Sequence, residues 1–454
     1  MASSAQVKNL NGKFVEGSIM RHVINMTATG SIGLIAVFVV DVLNLLYISR
    51  LGRHELAAAV GYASTLLFFH TSVSIGLSIA VTATVSRAIG SGDYPLARQF
   101  AASSLYLIGG ISTLLVIVTY PFLGALLNLL GAQGETAQLA TRFCQFVLPS
   151  IPLLGFGMAT SALLRSVGDG KRAMFVTLGA AFATATLDPL FIFVFGLGLD
   201  GAAIANICAR VVMAGLGFYA VLKIHQLYAK PTQEVFQRGA KAFASIGVPA
   251  ILTNVATPVG NAAVTTAIAA YGDQAVAGWA VVSRLIPMAF AGLFALSGAV
   301  GPILGQNLGA KRFDRLRQTM RDSLKFTLIY VAIAWLLLAI TSHWIARAFD
   351  AQGMEEDVIV FFCVFIAGSF LFNGSLFVAN AAFNNLGYPL YSTVLNWGRA
   401  TIGVIPFVYF GGLWFGARGV MAGYGLGVVG FGIAGVWLCF RVLTKIEQRT
   451  SAVI

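Results

Sequence analysis

Charged residues are scarce in this chain: Asp, Glu, Lys and Arg together make up 10% of its 454 residues, and only 17 residues are acidic. Soluble domains carry about 25% charged residues, so an ordinary solvated surface is excluded. Cysteine is sparse too. Cys144, Cys208, Cys363 and Cys439 all fall inside apolar stretches, where a thiol packs as a small hydrophobe, and no disulfide framework is implied. A phosphate-binding loop ending in Lys-Ser or Lys-Thr is missing, which removes ATP as the evident energy source. Metal-ligand clusters and nucleophile triads are missing as well, so the chain does not read as an enzyme and no cofactor is expected.

What is abundant is apolar sequence. Hydrophobic residues make up 58% of the chain, with 50 glycines and a mean hydropathy of +0.84. A bilayer core is crossed by about 20 apolar residues as a helix. Suitable stretches lie near 22–49, 55–85, 102–128, 138–165, 173–196, 201–224, 242–270, 275–304, 324–346, 357–382, 390–413 and 417–440. The expected fold is therefore all-α and integral to the membrane, with about twelve transmembrane helices. The polar segment before the first stretch has no small-residue cleavage site behind a short apolar core, so no signal peptide is expected to be removed.

The net charge of +12 follows the positive-inside rule and gives no reason to expect nucleic acid as a partner. About 21 of the 29 basic residues fall in the loops and tails of one side, including Lys311, Arg312, Arg315, Arg317, Arg321 and Lys325. The other side has Arg50, Arg53, Arg347 and Arg418. Both termini are expected in the cytoplasm of a cell whose inner membrane holds the protein, as a monomer in the lipid bilayer. The basic run Lys311 to Arg321 also fits phospholipid binding, but topology alone explains it.

The chain repeats itself at an offset of about 220 residues. Ala132-Gln133-Gly134 recurs as Ala351-Gln352-Gly353, and Phe143-Cys144-Gln145-Phe146 as Phe362-Cys363-Val364-Phe365. Gly168 meets Gly387 at the same spacing. Each half has an even number of helices, so the halves are related by an axis along the membrane normal, an arrangement suited to alternating access. The expected divisions are a cytoplasmic segment 1–20, an N-terminal six-helix bundle 21–226, a linker 227–241, a C-terminal six-helix bundle 242–441 and a tail 442–454.

Elimination narrows the charge chemistry. Fifteen acidic residues fall in termini, in loops or at the ends of the expected helices, Asp322 among them, which leaves Asp41 and Asp188 well inside helices 1 and 5. A mid-membrane carboxylate costs about 2.5–3.5 kcal/mol on insertion scales and usually marks an ion or substrate path. Two carboxylates facing one cavity cannot both stay charged cheaply, so a proton or a cation is taken up between them. The rival reading for Asp188 is a structural salt bridge, with Arg142, Arg210, Arg284 and Arg399 as available partners, or a cap on a helix break at Pro189. At the repeat offset Asp41 meets Asn261, which has no titratable proton. His70 on the second helix is a candidate proton relay, with a hydrogen-bonded packing role as its alternative.

Several short motifs resemble the multidrug and toxic compound extrusion (MATE) family of cation antiporters. They are Leu51-Gly52 followed by Ala57-Ala58-Ala59, Gly90-Ser91-Gly92-Asp93 with its counterpart Gln306-Asn307-Leu308-Gly309-Ala310, Leu164-Arg165-Ser166-Val167-Gly168-Asp169, and Leu187-Asp188-Pro189-Leu190. They occur in order over nearly the whole chain. The resemblance implies two bundles of six helices that extrude organic cations in exchange for protons or sodium. Relatives commonly carry an acid where this chain has Asn44. Asp41 sits one turn earlier on the same helix face. A proline common early in helix 1 is also missing, which leaves Gly30 and Gly33 as the weak points of that helix. With no acidic residue on the helices of the second half, the chain is more similar to the branch often called DinF-like, which couples through the N-terminal bundle.

The reading is a secondary antiporter exporting small organic cations against protons bound at Asp41 and Asp188. Sodium is the alternative ion at the same pair, with Asn44, Thr184 and Thr186 as further oxygen ligands. Asn206 falls where the resemblance places a polar group lining the first bundle. Tyr62, Met158, Trp279, Phe290 and Asn380 are candidates for substrate contact, since aromatic, thioether and amide groups suit flat cations, and Asn261 is added from the second half. A lipid or lipid-linked sugar flippase is the rival function, for which Arg284 and Arg399 would hold phosphate.

Overall fold

The computed structural model describes residues 12–51 and 54–451. Gly52 and Arg53, named above, lie outside it, as do the ends of the expected terminal segments. Ten helices are long and apolar enough to cross a bilayer, and the pair Asp273–Ala289 and Ala291–Gly309, bent by 43°, forms one more span. The longest of the ten, Pro389–Gln448, reverses at Gly416, where φ is +62°. Gly411 meets Gly419, Phe407 meets Gly423 and Gly403 meets Gly427, so contacts step outward on either side of Gly416 as they do in a helical hairpin. Among the described residues the spans therefore number twelve, as expected. They are α1 (Ile19–Ser49), α2 (His54–Gly90), α3 (Tyr94–Leu129), α4 (Gly134–Ser166), α5 (Gly170–Val194) and α6 (Gly198–Ile224) in the first half. The second half has α7 (Gln233–Ala269), α8 (the bent pair), α9 (Phe313–Ala348), α10 (Met354–Leu386), α11 (389–415) and α12 (417–451).

Local chemistry sets the helix ends. Asp93 and Asp169 cap α3 and α5 by accepting from the amides of Leu96 and Arg172, each at 3.0 Å. The duplication is visible in the backbone. Gly134 and Gly353 have φ of +57° and +58°, and Gly168 and Gly387 have +83° and +91°, each pair at the repeat offset. Left-handed conformations are nearly free for glycine, which is why these positions could be matched in the sequence. Gly92 and Lys311 share the same geometry, with the glycine replaced in the second half.

Two helices begin earlier than hydropathy suggests. α7 starts at Gln233 inside the expected linker, and α9 starts at Phe313 inside the expected basic loop. Asp322 is therefore a buried helical residue of α9, 7% exposed, rather than a loop residue. Glu234, Arg238 and Lys241 in α7 and the dense charges of 311–325 in α9 hide these first turns from any hydropathy window. Gly30 and Gly33 are packing points in an unbroken α1, against Ala295 of α8 and Thr177 of α5.

The packing is asymmetric along the helix axes. At the end away from Phe14 and Leu443, one apolar core uses first-half residues such as Ile48, Leu127, Phe143 and Ile192, and another uses second-half residues such as Ile268, Trp279, Phe362 and Met421. At the terminal end the cores are shared: Phe243 and Ile246 of α7 join the first bundle, while Phe14 and Val23 join the second. The bundles are thus interlocked at one end and separately packed at the other. Glycines allow the joint. A Cβ on Gly76 would lie 2.6 Å from the Ile251 backbone nitrogen, and one on Gly90 or Gly309 would overlap the backbone of Gln306 or Arg87.

The segment 12–18 lies across this joint. The Phe14 amide donates to Gln306 Oε1 (2.9 Å), while Gln306 Nε2 donates to the Ser166 carbonyl (2.7 Å). Arg315 Nη2 and Asn307 Nδ2 donate to the Phe14 carbonyl at 2.8 and 3.1 Å. Lys13 Nζ donates to the Gly168 carbonyl (2.7 Å), tying the same segment to the first bundle.

Gly309→Val is expected to pry the interlocked end apart. Spin labels at Lys171 and Lys445 should report longer distances in the variant than in the parent protein; identical distance distributions would contradict the close-packing argument.

Asp169 supports a second prediction at this end. Burial pushes its carboxyl up, but hydrogen bonds from His225 and Arg172 outweigh that and hold it well below the usual carboxylate range. Such a group contributes fully above about pH 4 and loses its contribution as the pH falls through its folded-state value. Amide exchange at Arg172 should therefore be faster in Asp169→Asn than in the parent at neutral pH, with the two converging only in strong acid. Equal protection at neutral pH would remove Asp169 from this role.

Candidate functional site

Asp188 ends the regular part of α5. Pro189 follows it, and the chain then widens into a π-helical turn, Leu190–Val194. The carboxylate is fully buried, at 0% exposure. Asn44 Nδ2 on α1 donates to its Oδ2 at 2.7 Å, and its Oδ1 is buried with no partner. A buried oxygen without a donor is costly, so it marks a place where a proton or a cation fits.

Asp41 lies one turn from Asn44 on α1 and is exposed. One carboxylate is open and the other enclosed, with Asn44 between them in sequence and bonded to the enclosed one. The arginines offered as partners are engaged elsewhere or absent from the site. Arg142 pairs with Asp200, and Arg210 donates to the Val147 carbonyl (3.1 Å) and Ser150 Oγ (2.8 Å). Arg399 donates to Thr257 on α7, and Arg284 is exposed on α8. Asp188 thus has an amide partner and no salt bridge among the described residues.

Thr184, one turn before Asp188, is half-buried and donates its hydroxyl to the Ala180 carbonyl (3.1 Å); Thr186 donates to the Phe182 carbonyl (2.8 Å). Their oxygens keep lone pairs free for a cation. Asn206 is half-buried on α6, which packs against α5. His70 is buried between α2 and α3. Its Nδ1 faces the Leu66 carbonyl (3.1 Å), which can only accept, so that nitrogen donates and Nε2 meets Thr119 Oγ1 at 3.3 Å. No hydrogen bond links His70 to the acidic pair.

The residues offered for substrate contact are dispersed. Trp279 is 4% exposed, donates to Thr265 Oγ1 (2.9 Å) and meets Tyr424 edge-on at 5.6 Å, so its ring is spent on the second bundle's core. Phe290 is fully buried and stacks on Phe370 at 4.1 Å. Asn380 is buried and accepts from Asn396 Nδ2 at 3.0 Å. Tyr62 packs near Gly131, and Met158 is half-buried on α4. Asn261 is exposed on α7.

Comparison with known proteins bears on the family and the fold. The MatE family model matches residues 31–190 and 249–410, one segment in each bundle. The chain is 28% identical over 440 residues to the FAD transporter of Shewanella oneidensis, covering 95% of this chain and 97% of that one. It is 23% identical over 417 residues to the multidrug export protein MepA of Staphylococcus haemolyticus, covering 90% of each. Among solved structures, the Vibrio cholerae MATE transporter VcmN in its bent form superposes with a TM-score of 0.88 at 25% identity, over 94% of this chain and 97% of that one. A MOP superfamily transporter from Pyrococcus furiosus, described as having a binding pocket of reversed polarity, gives 0.90 at 19% identity, over 97% and 99%. With both halves matched by the family model and the twelve-helix fold in common, the chain belongs to the MatE family and is a membrane transporter, not an enzyme.

Proposed function

We propose that the protein is a secondary antiporter that exports organic cations in exchange for protons taken up at Asp41 and Asp188. The observation that carries this reading is the fully buried Asp188, held by Asn44, with one oxygen unpartnered and no salt bridge among the described residues. A proton or a positively charged substrate satisfies the same oxygen, so the two compete for it. The membrane potential favours inward proton flow by about 2.3 kcal/mol per charge per 100 mV. Separate packing at one end and interlocking at the other suit alternating access. The multidrug export relatives support the cation reading, and the FAD transporter relative extends the substrate class towards large planar ring systems. The interlocked end holds Phe14, Val442 and Leu443 in one core, and the loops expected on that side hold most of the basic residues, which supports a cytoplasmic position for it in the cell membrane. A monomer and no cofactor complete the proposal.

Sodium is the second reading, favoured by the unpartnered Oδ1 of Asp188, with Asn44 bonded to the same carboxylate and Thr184 one helical turn before it. Oxygen donors suit a hard cation.

Ethidium movement in proteoliposomes tests both. Asp188→Asn keeps the shape and removes the charge, and should cut transport driven by a pH gradient by about tenfold or more, as expected for one charge-assisted contact of about 1.5–3 kcal/mol. Asp41→Asn should do the same. Full transport in both variants would end the proposal.

An imposed sodium gradient at equal pH on both sides should leave ethidium unmoved. Transport under that gradient alone would replace the proton with sodium at the same pair.

A further inference from the structure

Each bundle buries one charged side chain on its fifth helix, and the two charges have opposite sign. In the first bundle, Asp188 of α5 bonds to Asn44 of α1. In the second, Arg399 of α11, 5% exposed, donates from Nη2 to Thr257 Oγ1 of α7 at 3.3 Å. By chain order α7 answers α1 and α11 answers α5, so both charges sit in the same helix pairing. Each also adjoins a widened helical turn: Leu190–Val194 follows Asp188-Pro189, and Arg399–Gly403 begins at the arginine itself. Single π-turns of this kind cluster at functional sites.

The Arg399 guanidinium is under-satisfied. Its Nε is buried without a partner, and the contact to Thr257 is long for a charged donor. No carboxylate pairs with it among the described residues. Asp357 is held by Arg418, Glu356 by His343, Asp314 by Arg312 and Glu447 by Arg317. Asp322 belongs to α9 near the interlocked end, ten residues into that helix. A guanidinium always carries its charge, so enclosing it inside a membrane protein without a counter-charge is costly unless an anion completes the site. Thr257 is exposed on α7, which gives the guanidinium a contact at the edge of the bundle.

We propose that Arg399 is an anion-recognition residue of the second bundle, receiving the phosphate or carboxylate group of a transported molecule. The planar fork of donors matches either group in two-point fashion. The two bundles then divide the work: the first recognises positive charge and the second negative. Dual recognition goes beyond the cation export proposed above, and admits substrates that carry both an aromatic ring system and an acidic group.

The test uses two flavins with the same ring and side chain, flavin mononucleotide and riboflavin, which differ by one phosphate. Binding is read by flavin fluorescence to the full-length protein in phosphatidylcholine nanodiscs. The parent protein should bind the phosphorylated flavin at least about tenfold more tightly than riboflavin. Arg399→Gln should reduce that ratio to about one, and Arg399→Lys, which keeps the charge and guards against a folding defect, should keep an intermediate ratio. Equal binding of both flavins by the parent, or binding of neither, overturns the proposal, as does an unchanged ratio in Arg399→Gln. Displacement of flavin mononucleotide by phosphatidylglycerol in the parent but not in Arg399→Gln would assign the same site to a lipid headgroup as the source of the phosphate. Ethidium transport by the parent under a pH gradient is read separately, so a failed flavin preference leaves proton-coupled cation export standing, and a failed ethidium assay leaves this site standing.

Discussion

Hydrocarbon offers no hydrogen bonds, and every other feature of this protein is shaped by that. Backbone amides and carbonyls in the membrane must find partners within their own segment, which makes each span a helix. Side chains face the same demand. The hydroxyls of Thr184, Thr186, Ser78 and Thr327 return their hydrogens to the carbonyl one turn earlier. Against this background of local satisfaction, an oxygen or nitrogen left without a partner stands out, and Asp188 Oδ1 and Arg399 Nε are the charged examples on the fifth helix of each bundle.

A second constraint is geometric. Helices in lipid gain little from apolar association alone and depend on close contact, so the interlocked end is built from glycines facing backbone. Gly90 against Gln306 and Gly309 against Arg87 are the same contact seen from the two halves of the repeat. The duplication that created the bundles also created a self-complementary joint. The far end has no such joint, and there the apolar residues pack within one half at a time.

The architecture was legible because its signals are local. Twenty-residue apolar runs and left-handed turns at Gly134, Gly168, Gly353 and Gly387 can be read directly from the chain. Hydropathy failed at the first turns of α9, where a helix rich in arginine looks like a loop, and Asp322 was misplaced with it. At the candidate site, the shared face of Asp41 and Asn44 follows from helical spacing. The bond from Asn44 to Asp188 joins residues 144 positions apart and depends on how α1 packs against α5, which no spacing rule supplies. The same limit applies to Trp279, Phe290 and Asn380. Their chemistry suits a ligand, but tertiary packing assigns them to ring contacts and an amide pair.

Segment 12–18 changes what it means for the halves to move. Gln306 accepts from Phe14 and donates to Ser166, so a single side chain couples the chain's leading segment to both bundles. Two rigid bodies hinged at a glycine seam could rock with few bonds broken. Here the seam is laced, because Lys13 holds Gly168 while Asn307 and Arg315 hold Phe14. Parting the halves at this end must first peel the lace from one of them, and the phenyl ring of Phe14, buried to 1%, would come free with it. The height of that barrier is written in residues 12–18, ahead of the first span at Ile19, rather than among the acids that would bind the ion.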